Sequence, residues 1–85
     1  MRSFSMKKKL EDNILKQLED IYALREKEIQ KNYIEMLDIL EQCNLSSDWN
    51  LVLVRLHDIF MLKDYVAYAD FLQDEVLSKI KTWGN

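Results

Sequence analysis

From residue 1 to residue 83 the chain contains neither glycine nor proline; its one glycine is Gly84. Sheets need tight turns, and tight turns draw on those two residues for positive φ or for a fixed φ. Their absence leaves long helices joined by few loops as the architecture open to this sequence. The fold class read from the sequence is therefore all-α, a small three-helix bundle or a kinked helical hairpin. With 85 residues, 48% hydrophobic and 32% charged, residues 1–85 read as one helical domain whose core is only marginally able to hold it together. Help from a partner is the corresponding expectation.

Residues 49–62 carry apolar side chains around nearly the whole helical circumference. Trp49, Val52, Leu53, Leu56, Ile59 and Phe60 form one broad face, with Leu51, Val54, Met61 and Leu62 behind it; Asn50, Arg55, His57 and Asp58 are the only polar breaks. Such a helix must be covered on several sides, which predicts the central helix of the domain, its rear residues mostly covered by the chain itself.

Ahead of it, Leu10, Ile14, Leu18, Ile21, Ile29, Tyr33, Met36, Leu40 and Cys43 recur at spacings of three and four with one lapse at 25–28, Arg-Glu-Lys-Glu. The lapse marks a bend, a change of partner or a solvated patch. No breaker residue stands there, so the sequence predicts one continuous helix over about 5–43. Residues 1–5 are expected to be disordered, and Met6 offers a second start of translation. The stretch 44–48, Asn-Leu-Ser-Ser-Asp, is a boundary: Asn44 can close a helix in the left-handed conformation, and Ser46 or Ser47 can cap a second helix over about 48–62. A third helix, about 65–83, presents Tyr65, Tyr68, Ala69, Leu72, Val76, Ile80 and Trp83. On an unbroken helix that face would point away from the Trp49/Leu56 face. A turn at Lys63 and Asp64, with Asp64 as N-cap, reconciles the two; the competing arrangement is a continuous helix buried on two sides. Lys79 and Lys81 suit the negative end of the last helix, and Gly84 its C-terminal cap.

Residues 15–26 and 53–64 share Leu, Leu, Asp, Ile and Leu at matching positions, a relic of duplication or a chance match between Leu-rich amphipathic helices. Residues 63–77 resemble, through Asp64, Tyr65, Val66, Ala69, Asp70, Leu72 and Glu75, a helix of the form Asp-Tyr-Val-x-x-Ala-Asp-x-Leu-x-x-Glu-Leu-x-Pro in uncharacterised small helical proteins of Gram-positive bacteria. The proline of that form is missing near Ser78. The resemblance implies a turn before Tyr65 and no particular activity.

The inventory for catalysis is thin. His57 is the only histidine, and Asp58 points about 100° away from it around the helix, so the two cannot act as base and orienter. Cys43 lies on an apolar stripe and reads as core packing. Neither a Glu-x-x-His pair for a metal nor a glycine loop for calcium or phosphate is present, and no cofactor is expected. Twelve Lys plus Arg against 15 Asp plus Glu give −3, with no basic patch after Lys9, which disfavours nucleic acid. A lone cysteine and the lack of a long apolar run predict a cytoplasmic chain with no membrane partner.

These readings converge on a non-enzymatic protein–protein interaction module. It would be a small acidic adaptor, similar in size, charge and helix content to the small helical chaperones of flagellar or type III export, a likeness of fold level only. The alternative is an acidic regulatory or inhibitory protein, such as a phage or toxin-system antagonist, covering a basic surface through Asp58, Asp70, Asp74 and Glu75. Two partner-binding surfaces are expected. A first helix of about 55 Å outruns helices of about 22 and 30 Å, which would leave Leu10, Ile14, Leu18 and Ile21 as a stripe for self-association into a dimer. Phe71 with Ala67 lies about 120° from the main face of the third helix and forms the second.

Overall fold

The computed structural model of the chain describes residues 2–43, 45 and 47–82, which form helices and the turns that join them, with no strand among them. α1 is Arg2–Tyr22, α2 Glu26–Glu41, α3 Asp48–Met61 and α4 Tyr65–Phe71. α4 runs without a turn into a π-helical segment, Leu72–Leu77, and then into α5, Ser78–Lys81. The backbone is already helical at Arg2, where disorder was expected; Met6 packs on the core, and Lys7 Nζ donates to the Lys81 carbonyl at 3.3 Å. Asn44, Ser46, Trp83 and Gly84 lie outside the described residues, and with them the roles the sequence suggested for each.

The long helix expected over about 5–43 is in fact two helices folded back on each other. A rod of that length would measure about 55 Å, whereas the longest dimension of the molecule is 34 Å. The chain leaves α1 at the polar lapse. Leu24 takes φ 57°, Leu24 N–H donates to the Ile21 carbonyl at 3.1 Å, and Arg25 N–H donates to the Asp20 carbonyl at 2.9 Å. This is a Schellman closure with leucine where glycine is usual, at a cost of roughly 1–2 kcal/mol. In exchange, Leu10, Ile14, Leu18 and Ile21 enter one core with Ile29, Tyr33, Met36 and Leu40. Each such side chain contributes about 1.5–3 kcal/mol when fully buried, so the closure wins without a breaker residue. Leu10, Ile14, Leu18 and Ile21 are thus core residues and not an exposed stripe, because α2 returns along α1.

α1, rather than α3, is the central helix. It packs on α2 and also on α4, the π-helical segment and α5, whereas α3 packs on α4 and the π-helical segment. α3 reaches α2 through side chains: the Tyr33 and Phe60 rings stack with centroids 3.9 Å apart, and the Tyr33 hydroxyl shares a 3.2 Å hydrogen bond with His57 Nδ1. Trp49 and Leu56 are buried, but Leu51, Val54, Met61 and Leu62 face solvent. Apolar content alone misplaces the centre because α1 also buries polar side chains, and that widens its buried band enough to serve two neighbours.

Those polar side chains are Asn13, Gln17 and Asp20, spaced i, i+4 and i+7, and they are buried together with Asn32 of α2. Asn13 Nδ2 donates to the Asn32 carbonyl at 3.1 Å and to Glu35 Oε1 at 3.2 Å. Gln17 Nε2 donates to Asn13 Oδ1 at 2.7 Å, and the Tyr68 hydroxyl donates to Gln17 Oε1. Asp20 accepts from Asn32 Nδ2 at 2.9 Å and from Arg25 Nη1 at 3.0 Å. Arg25, which interrupts the apolar pattern, is therefore the partner of a buried carboxylate. Among the described residues no buried side-chain nitrogen or oxygen lacks a partner, as a stable interior requires.

The π-helical segment answers a problem of phase. Tyr68, Leu72, Val76 and Ile80 are each four residues apart and all buried. On a straight α-helix with 3.6 residues per turn, three such steps drift about 120° around the axis. The wider π turn, bonded i to i+5, takes back part of that drift and holds all four on α1.

The turn at Lys63 and Asp64 is as the sequence suggested. Lys63 takes φ 58°, and Asp64 Oδ1 accepts from Ala67 N–H at 3.2 Å as the N-cap of α4. Ser47 holds the N-cap position of α3 without a side-chain capping bond. The two interhelical turns share a left-handed residue, whose N–H donates to the carbonyl three residues back, when Leu24 is matched to Lys63, a spacing one residue longer than that of the sequence similarity. The residue match and the structural match are out of register, which counts against duplication as their source.

Two outcomes follow. Asp64→Ala is expected to lower stability by about 1 kcal/mol in chemical denaturation, the usual loss for an N-cap. Burial, with smaller contributions from Tyr33 and Tyr65, holds the Tyr68 phenol well above its ordinary 10.0. The fold favours the neutral phenol, so this contribution is complete below pH 10 and is lost progressively above it, as the unfolded chain ionises and the folded one does not. Denaturation curves at neutral and at strongly alkaline pH should show a steeper loss for the wild type than for Tyr68→Phe. At neutral pH that variant should already be weaker by about 1–3 kcal/mol, because the Gln17 carbonyl loses its donor.

Candidate protein-interaction surface

α3 and α4 meet along a shallow depression of about 270 Å³, lined by Ile59, Ala67, Phe71, Asp70, Asp74 and Glu75. Its apolar floor comes from both helices: Ile59 from α3, and Ala67 and Phe71 from α4, all half-buried. Its rim is three exposed carboxylates, none of them in an ion pair among the described residues. The π-helical segment sets this rim. In a π turn residues i, i+4 and i+5 share a face, and Asp70, Asp74 and Glu75 have that spacing as the last helix leaves its α geometry.

Of the residues singled out in the sequence, Ala67 and Phe71 sit in this depression, together with Asp70, Asp74 and Glu75 of the acidic set. Leu10, Ile14, Leu18 and Ile21 are in the core, and Asp58 lies outside the rim, on the outer side of α3. Phe71 is not wholly separate from the protomer's own packing, since its ring rests on the edge of the core. The sequence reading does not include Ile59 among the site residues. The signal for it is its position one residue from Phe60 on an apolar helix, which turns it toward Ala67 and Phe71 while Phe60 turns inward to Tyr33 and Tyr68.

A wider groove of about 530 Å³ runs along α1 and α2, where Lys9 and Lys16 alternate with Asp12, Glu35 and Asp38 above Asn13 and Asn32. Charges of both signs are interspersed there, and the Asn13 amide is already engaged in the core seam. Cys43 and His57 do not pair: the thiol donates to the Ile39 carbonyl at 3.2 Å, and His57 is held by Tyr33. Burial pushes the Cys43 thiol up, away from the thiolate a nucleophile needs. Among the described residues no three His, Cys, Asp or Glu side chains stand as a metal site would place them, and no helix is long and apolar enough to cross a membrane.

Compared with known proteins, the chain matches no family model, no curated protein and no solved structure. The surface must therefore be read from its own chemistry.

A half-buried aromatic at the edge of a core should behave between the two extremes. Phe71→Ser is expected to cost about 1–2 kcal/mol of folding stability, where emptying a fully enclosed aromatic site costs about 3–5. Urea denaturation of the variant checks this, with a loss at the upper figure placing the ring wholly inside.

Proposed function

We propose that the chain is a non-enzymatic protein–protein interaction module that receives a basic, partly apolar segment of a partner protein in the depression between α3 and α4. The observation that carries this reading is the convergence of Ile59, Ala67 and Phe71 with Asp70, Asp74 and Glu75 on one open surface. Three free carboxylates around an apolar floor attract Lys and Arg side chains, steer encounter and disfavour acidic partners. The same rim repels a phosphate backbone, so the partner is a protein and not a nucleic acid. An adaptor or chaperone-like protein, acidic and helical, fits this description.

The acidic rim also favours a second reading, a regulatory or inhibitory protein that covers a basic surface of its target. The two differ in how much of the affinity is Coulombic. A rim-dominated complex weakens steeply with salt, whereas a floor-dominated one does not.

The test is an NMR titration of the full chain with a helical peptide carrying lysines on one face and leucines on the other, set against a glutamate-bearing counterpart. Amide shifts are expected at Ala67, Asp70 and Phe71 with the basic peptide alone. Asp70→Asn, Asp74→Asn and Glu75→Gln combined should weaken binding at least about tenfold and flatten its salt dependence. Undiminished binding by that variant, or shifts confined to other helices, would overturn the assignment.

A further inference from the structure

The outer face of α3 is a separate surface. Leu51 is 64% exposed, Val54 58%, Met61 63% and Leu62 78%, and none of them lines the acid-rimmed depression. At 100° per residue these four, with Arg55 and Asp58, occupy the side of α3 opposite Trp49 and Leu56, which are buried. In the order of the chain the face reads Leu51, Val54, Arg55, Asp58, Met61, Leu62: two apolar residues, a cation, an anion, two apolar residues. Arg55 and Asp58 form no ion pair with each other or with any other described residue, although three positions on one helix bring them within reach.

We propose that this face pairs with the same face of a second copy of the chain, the two α3 helices lying antiparallel about a two-fold axis. A two-fold contact requires a surface that complements itself: if residue i meets residue j, then j meets i. The outer face of α3 has that property. An axis passing midway between Leu56 and His57 sets Arg55 against Asp58 of the second copy, and Asp58 against its Arg55. The same axis sets Leu51 against Leu62 of the second copy and brings Val54 close to its Met61. Two cross-helix ion pairs form at the centre, with apolar contacts on either side. A parallel arrangement would set Arg55 against Arg55 and Asp58 against Asp58. The charges therefore select the antiparallel pairing, in the manner of polar positions that fix orientation in paired helices.

The contact is small. From Leu51 to Leu62 the face spans about 17 Å of helix. Two helices meeting over that length fall at the low end of the size range of specific interfaces, where association is weak and reversible. Each copy keeps its Ile59/Ala67/Phe71 depression on the flank of α3 next to α4, so the dimer would present two acid-rimmed sites. The proposal does not depend on those sites being used.

Sedimentation equilibrium of the full chain tests it. The wild type is expected to approach twice 10.2 kDa as its concentration rises through tens of micromolar, a range corresponding to roughly −6 to −7 kcal/mol. Arg55→Asp alone and Asp58→Arg alone should each weaken self-association at least about tenfold, because each sets like charges together twice. Mixing these two single variants should restore dimerisation as a heterodimer, and combining both substitutions in one chain should restore the homodimer. Far-ultraviolet circular dichroism is expected to be the same for every variant, since both substituted side chains are exposed. A wild type that remains monomeric at about 100 μM overturns the proposal and leaves the stripe to a different partner. Failure of both the mixture and the double exchange to recover the dimer, with the fold intact, overturns the antiparallel pairing.

Discussion

The bond from the Tyr68 hydroxyl to the Gln17 carbonyl, buried where α1 crosses α4, ties together residues 51 apart in the chain and fixes the arrangement of the rest. Leucine and isoleucine stripes tolerate sliding, because one apolar contact replaces another. A buried amide does not. If α1 advanced by one residue it would move about 1.5 Å and turn about 100°, carrying Gln17 away from Tyr68 and Asn13 away from the Asn32 carbonyl. Each polar group left unpaired would cost about 1–3 kcal/mol. The seam of Asn13, Gln17, Asp20 and Asn32 adds register to a core whose driving force is apolar burial.

That register makes economical turns sufficient. Leu24 and Lys63 both adopt left-handed backbone with side chains that ordinarily avoid it, and both stand in short connections between antiparallel helices. The ends of the two hairpins meet: the Tyr65 hydroxyl donates to Glu26 Oε2 at 3.0 Å, and Lys63 Nζ lies 3.9 Å from the same oxygen. Local preference is overruled at both turns because the helices they join bury far more than the turns cost. The π-helical segment is a third concession of this kind. It departs from ideal helix geometry so that Tyr68, Leu72, Val76 and Ile80 can all reach α1, and in doing so it aligns the carboxylates of the acidic rim.

What remains outside the core defines what the chain can do. α3 is fixed from one side only, with Phe60 and Trp49 turned inward, and its far side is left in water as an apolar face divided by one cation and one anion. Its flank against α4 carries an apolar floor under unpaired acids. Both features are suited to holding other polypeptides, and they are about a quarter-turn apart on the same helix, so occupation of one leaves the other open.

The sequence alone determined that the fold is helical, placed α3 close to where it lies, and offered Asp64 as the start of a new helix against one continuous helix, because each of these rests on residues a few positions apart: the missing glycine and proline, the 3.6-residue period, a capping carboxylate. It also marked Ala67, Phe71 and the acids beside them, since their spacing around one helix is a local fact. It could not determine that α1 ends at Tyr22, because nothing within a few residues of Leu24 breaks a helix; the break exists only because Ile29 and Tyr33 gain burial by returning along α1. Nor could it show that Gln17 and Asp20 are interior, since their partners Tyr68, Asn32 and Arg25 come together only once the hairpins have formed. Which helix is central, and which apolar face stays in water, were likewise decided by the tertiary structure: burial depends on which surfaces find partners, and a helix with apolar side chains all round still meets neighbours only on the sides where the rest of the chain can reach it.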